Sequence, residues 1–388
     1  MSYSTAQILF ALIRSEVCGE SVDEKIKQEL TPEMMEKLYK MSVAHDMVHI
    51  VASATKKLGI LGDDEISKKL QKQQMVAIFR CEGFNYELEQ LTQVLEDAKI
   101  PFIPLKGSVI RPLYPEGWMR TSCDIDILVH ESDLDAAASV LVEKLEYTSD
   151  TKGSHDISFF SPNRVHVELH YDLVEEGWAS NSREILSQVW EHTSEREGKS
   201  YHRVMSSEMF CFYHIAHMAK HFEQGGCGIK PILDMYVLDK HLTCDAGKLE
   251  KLLEQGELLK FYKASRQLMK AWLCGAEHTE LTLDMQDYIL SGGVYGNMIN
   301  RVSAQQVKRG GKLRYALSKI FLPYDVIKFH YPILQKHKWL LPIMEVRRWF
   351  KLVFCGGLGR SVNELKANNS RDAEQSAAMQ KFLDDLGL

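Results

Sequence analysis

Two hydrophobic periods divide this chain. From Ser4 to Lys99 apolar residues recur at helical spacing, as in Ile8-Leu9, Leu12-Ile13, Met34-Met35, Leu38 and Met41. Thr31-Pro32-Glu33-Met34 reads as an N-cap, a proline at the first helical position and an acid in the first turn. A long helix is predicted from about Asp64 to Ala98, ending before Pro101. Between Pro101 and His170 the period changes to two. Phe102 to Ser108, Asp124 to Val129 and Val165 to His170 each predict a strand. A short helix from Ser108 to Leu113 follows the first, stopping near Pro115. Another begins near Ser132-Asp133 and carries Leu134, Ala137, Ala138, Leu141, Val142 and Leu145 on one side. Asp156 to Phe160 and Arg164 to His170 predict a hairpin turning at Ser161-Pro162-Asn163. Beyond about Ser206 the helical period returns, interrupted by Gly225, Gly226 and Gly228, and the tail ends in a short amphipathic helix from Met379 to Leu386. The pattern predicts an α+β protein. A small mixed-sheet core over 100–205 stands between helical regions at 1–99 and 206–388.

Composition narrows the class. At 388 residues the chain exceeds one ordinary core, and 45% hydrophobic with 26% charged content is that of a globular protein. Eight cysteines, Cys18, Cys81, Cys123, Cys211, Cys227, Cys244, Cys274 and Cys355, form no Cys-x-x-Cys pair. Neither a zinc site nor a disulfide framework is signalled, and a reducing, cytoplasmic location is expected. Apolar stretches such as Ile8 to Ile13 are too short to span a bilayer, and no secretory signal is read.

Charge is unevenly spread. The chain carries −6 overall, yet residues 301–360 hold thirteen cations against Asp325 and Glu345, about +11, leaving about −17 elsewhere. The cations are Arg301, Lys308, Arg309, Lys312, Arg314, Lys319, Lys328, Lys336, Lys338, Arg347, Arg348, Lys351 and Arg360, interleaved with aromatics including Phe329, Trp339 and Phe350. A nucleic-acid surface, an anionic membrane surface and a subdomain paired with the acidic remainder all fit. The intramolecular pairing is favoured, because these helices also carry enough apolar residues to dock on a core.

The chemistry lies in the strands. Alternation puts Asp124 and Asp126 on one face and Ile125, Ile127 and Val129 on the other. Glu168 likewise shares a face with His166 and His170, opposite Val165, Val167 and Leu169. Two adjacent carboxylates on one strand face repel each other unless one is protonated or a cation sits between them. Mg²⁺, which takes carboxylates plus substrate phosphates, suits the pattern. Lys106-Gly107-Ser108 occupies a strand-to-helix junction, where free N–H groups favour an anion. Ser108 serves equally well as a helix cap. Arg120 either pairs with the acids or clamps a triphosphate. His166 and His170 are expected beside the acids rather than among the ligands. His45 and His49 are expected to be solvated or hydrogen-bonded. His214, His217 and His221 share a helical face expected to line a cleft, with Lys220, Lys230 and Asp234 as candidate wall residues.

These motifs resemble the polymerase-beta-like nucleotidyltransferase superfamily, whose signature joins a Gly-Gly/Ser turn, an Asp-x-Asp strand and a third acid on a later strand. More narrowly, Leu105-Lys106-Gly107, Leu113-Tyr114-Pro115 and Arg120 ahead of Asp124-Ile125-Asp126 resemble the bacterial uncharacterised nucleotidyltransferase family. The likeness continues through Glu168-Leu169-His170, His214 and Asp234, and loosely into Trp339-Leu340-Leu341-Pro342. It implies transfer of a nucleoside monophosphate from a nucleoside triphosphate, ATP foremost, to a small molecule, peptide or protein acceptor. It implies two Mg²⁺ ions, or Mn²⁺, held by Asp124, Asp126 and Glu168 as the catalytic acids. Lys106, Gly107, Ser108 and Arg120 would then bind the nucleotide. A nucleotide-binding module without turnover and an RNA-directed or toxin-like transferase are the alternatives, and the retention of all three acids argues against a decayed site.

Overall fold

The computed structural model describes residues 3–174, 180–294, 296–322, 324–354, 358–370 and 373–388; Cys355 and the side chains of Asp325, Phe329 and Arg360 lie outside the described residues. Helices Thr5–Val17, Glu24–Glu29, Pro32–Ala44 and Val48–Lys57 come first. Thr31 accepts from the Met34 N–H and so caps the third of them, with Pro32 leading the helix. The long helix α1 (Glu65–Asp97) starts at Asp64, whose carboxylate accepts from the N–H groups of Ile66 and Ser67.

A five-stranded sheet follows. It contains β1 (Phe102–Pro104), β2 (Asp124–Val129), β3 (Thr148–Lys152), β4 (Asp156–Phe160) and β5 (His166–His170), in the order β1-β2-β5-β4-β3. Only β2 and β5 run parallel, so the sheet is mixed and the fold is α+β, as the sequence predicted. Ile125, Ile127, Val129, Val167 and Leu169 are buried against Phe84, Leu91 and Leu95 of α1. Leu134, Ala137 and Leu141 of a later helix close the same cluster. Fully burying each such side chain is worth about 1.5–3 kcal/mol, which fixes the strand register and leaves the acids on the other face. The hairpin turn forms as expected, with the Val165 N–H donating to Ser161 Oγ. β3 was not foreseen. Thr148-Ser149-Asp150-Thr151-Lys152 has no apolar alternation, and it sits at the sheet edge, where none is required.

The helix expected over Ser108 to Leu113 is split. It runs as α2 (Gly107–Ile110) and then tightens into a 3₁₀ turn, Arg111–Leu113. Pro112 has no N–H to continue the α ladder. α3 (Leu134–Leu145) packs on α1, and a short ladder of β6 (Thr193–Glu195) and β7 (Arg203–Met205) leads to α4 (Ser207–Glu223) and α5 (Lys230–His241). One apolar cluster joins the first helices to the later ones: Phe10 stacks on Trp272 at 4.2 Å, and Arg14 donates to the Trp272 carbonyl at 3.0 Å. No helix among the described residues is long and apolar enough to cross a membrane.

Candidate active site

Parallel pairing sets Asp126 opposite Glu168 and Asp124 opposite His166. Neighbouring strands lie about 4.8 Å apart, so side chains on the shared face converge. Two overlapping ligand groups result. Asp124, His166 and Glu168 form one, and Asp126, Glu168 and His170 the other, with the donor atoms of each within 4.8 Å of one another. Glu168 belongs to both. The sequence reading placed the two histidines beside the acids; the structure brings both within these groups. His170 Nε2 lies 2.9 Å from Asp126 Oδ1 and 3.4 Å from Glu168 Oε2.

The two aspartates have opposite surroundings. Asp126 is 2% exposed, and burial alone would raise its carboxyl. The Lys106 ammonium, 2.9 Å from Oδ1, and the hydrogen bond from His170 outweigh burial and hold it well below the usual carboxylate range. His170 answers in kind. Burial opposes its charge, but hydrogen bonds to Asp126 and Glu168 push it up to about 9. Asp124 has no such partner: burial and the Asp126 charge push it up to about 6. Lys106 and His170 thus serve Asp126 as internal counter-ions, and Lys106 and His166 offset the Asp124 charge only in part.

Lys106 caps α2 at φ +43°, ψ −116°, an uncommon conformation for a residue with a side chain. The Leu105 N–H donates to the Asp126 carbonyl, tying this turn to β2. At Gly107 an added Cβ would lie 3.1 Å from Arg120 Nη1 and 3.3 Å from Ser122 Oγ, so the glycine lets those side chains close over the turn. Ser108 is buried and does not cap α2, and its Oγ has no hydrogen-bond partner among the described residues.

Arg120 faces away from the acids. Its Nε and Nη2 grip Asp234 at 3.2 and 2.9 Å, and Nη1 donates to the Thr121 carbonyl at 3.0 Å. Tyr114 adds a hydroxyl to Asp234 at 2.8 Å. Burial would raise Asp234, but Arg120 and His214 hold it below the usual range. Lys230 Nζ reaches Asp46 Oδ2 and the Thr121 carbonyl, each at 2.9 Å. These contacts pin the segment before β2 between the N-terminal helices and α5. Sequence reasoning missed Asp46 and Thr121, and it took Tyr114 only as part of the Leu113-Tyr114-Pro115 motif, with no role. No local motif marks Asp46 or Thr121, although Asp46 sits at positive φ in a turn.

The histidines separate. His49 is buried and bonds the Met119 carbonyl at 3.0 Å, so it is neither solvated nor paired with His45, which is also buried. His214 bonds the Pro231 carbonyl at 2.9 Å. His217 and His221 meet at 3.2 Å through their Nε2 atoms, so at least one ring is neutral. Burial, and then Lys106, keep His217 well below its ordinary value, opposed by the Asp126 charge.

The three carboxylates, with His166 and His170 among them, form groups that could hold a metal ion. A family model described as "Uncharacterised nucleotidyltransferase" matches residues 31–274. No curated protein and no solved structure matches the chain. The matched stretch runs from the Thr31 cap past α5, takes in both ligand groups and the Arg120–Asp234 pair, and stops before the basic segment. Spanning more than half of the residues, it identifies this chain as a member of the uncharacterised nucleotidyltransferase family.

Proposed function

We propose that this protein transfers a nucleoside monophosphate from a nucleoside triphosphate to an acceptor, with a divalent metal held by Asp124, Asp126 and Glu168. The observation that carries the reading is the β2–β5 register, which gathers three acids on one face beside the Lys106-Gly107-Ser108 turn. Mg²⁺, or Mn²⁺ in its place, would when bound offset the charge on the attacking and leaving oxygens. The acceptor oxygen or nitrogen attacks the α-phosphorus, its bond to pyrophosphate breaks, and the acceptor proton passes to Glu168 or Asp124.

The chain's own residues supply position and charge. Lys106, whose ammonium lies 2.9 Å from Asp126 Oδ1 at the turn before α2, would supply positive charge to the triphosphate. The unpartnered Ser108 Oγ is a donor for the same phosphates. Arg120, bound to Asp234, holds the segment preceding Asp124, and this contact supports a positioning role for it. ATP is the first donor to test.

Nucleotides with Mg²⁺ should raise the melting temperature, since a ligand that binds only the native state stabilises it by mass action. An α-labelled triphosphate should then lose pyrophosphate to a captured acceptor. If no triphosphate shifts the melting temperature in the presence of Mg²⁺, the proposal fails.

A further inference from the structure

The basic segment outside the family match is not absorbed by the proposed reaction. It contains α6 (Lys312–Ile320) and α7 (Leu341–Phe354). Part of its charge is used internally: Arg301 and Lys319 pair with Glu364, Lys308 with Glu223, and Arg348 with Glu345. The last pair belongs to the seam that docks α7. Glu345 accepts from the Leu322 N–H at 2.7 Å, and Trp349 Nε1 donates to the Ile320 carbonyl at 3.0 Å.

The opposite side of α7 is open. Ile343, Val346, Phe350 and Phe354 recur at i, i+3, i+7 and i+11, and each is more than half exposed. Trp339, 71% exposed, precedes them. Arg347 and Lys351 border this stripe on the helix surface, with Lys336 and Lys338 just upstream. None of these four cations has a carboxylate partner among the described residues. Glu345, the only acid in α7, is buried in the docking seam.

Arg347 lies over the Tyr331 ring at 5.8 Å and Lys338 over the Tyr324 ring at 5.1 Å, contacts that leave both charges unneutralised. An apolar stripe edged by such cations is complementary to one kind of surface. Aliphatic and phenyl side chains need an apolar phase, and the bordering cations need anions at its boundary. RNA would satisfy the cations but leave Ile343 and Val346 in water. A second copy of α7 would bring like charges together. We infer that α7 and Trp339 lie along an anionic lipid surface, the stripe sunk among the acyl chains and Arg347, Lys351, Lys336 and Lys338 meeting headgroup phosphates. The protein then rests on the bilayer and does not cross it.

Flotation of the full chain with equimolar phosphatidylglycerol and phosphatidylcholine vesicles tests this. Binding should exceed that to pure phosphatidylcholine at least tenfold, since each cation near an anionic surface contributes separately, and should fall several-fold as salt rises from about 0.05 to 0.5 M. Phe350→Ser with Phe354→Ser should cut binding tenfold or more at unchanged melting temperature, because both rings are already in water. Arg347→Gln with Lys351→Gln should weaken binding to the anionic vesicles only. Equal binding to both vesicle types, binding to neither, binding to RNA instead, or a solution dimer abolished by the double serine variant would each overturn the inference.

Discussion

Asp124→Asn is expected to make the metal-free protein more stable while removing its response to divalent cations. Burial and the Asp126 charge raise the Asp124 carboxyl from 3.8 to about 6. The folded state therefore holds this proton more tightly than the unfolded chain does, and ionised Asp124 subtracts from stability at any pH above about 6. Two pK units correspond to about 3 kcal/mol, and partial contact with water lowers the usable figure to about 2 kcal/mol. A neutral amide of the same shape removes that penalty. At roughly 2 °C per kcal/mol for a large domain, the melting temperature in EDTA at pH 7.5 should rise by about 4 °C. Titration with Mg²⁺ supplies the second half of the test. Wild-type protein should gain stability with the logarithm of Mg²⁺ concentration, and the variant should gain little. Should the variant melt below wild type in EDTA, or respond to Mg²⁺ as wild type does, Asp124 is not a partly compensated acid awaiting a cation.

Asp126→Asn should behave oppositely, losing about 3–5 kcal/mol by leaving Lys106 and His170 buried without their anion; calorimetry in EDTA reads the drop directly. The metal-free protein should also lose stability with rising pH. The contribution of the His170 proton is complete below its unfolded value of 6.5 and disappears as the pH rises through about 9, a loss of about 3 kcal/mol, whereas saturating Mg²⁺ should flatten the curve. Gly107→Val forces Arg120 and Ser122 away from the turn, and should weaken triphosphate binding in the thermal-shift assay more than it lowers the melting temperature without ligand. Equal losses would confine the glycine to packing.

What the sequence made legible follows from how each feature is encoded. The strands β2 and β5 announce themselves by alternation, and alternation alone assigns Asp124, Asp126 and Glu168 to polar faces. It does not say that the two strands are neighbours, nor that they run parallel, and both facts are needed for the acids to meet. Counter-ions were harder still. Lys106, expected from the sequence to face phosphate, binds Asp126; His170, expected beside the acids or exposed, bonds the same oxygen. The apparent equivalence of Asp124 and Asp126 in an Asp-x-Asp pattern therefore breaks down in three dimensions. Arg120 shows the same limit, since its partner Asp234 lies 114 positions away.

The clamp around Arg120 also explains why so much helix accompanies so small a sheet. The segment between α2 and β2 has only 3₁₀ turns of its own, at Arg111–Leu113 and Gly117–Met119, with Arg111 donating across it to the Arg120 carbonyl and Ser122 Oγ. Further fixed points come from outside. His49 takes the Met119 carbonyl, Asp46 and Lys230 take Thr121, and Asp234 takes Arg120. Arg120 and Asp234 are both nearly inaccessible to water, so either without the other would be a buried, uncompensated charge. The approach to β2 is therefore held by the N-terminal helices and α5 together. The family match accordingly extends on both sides of the sheet, beginning ahead of Asp46 and ending after Asp234.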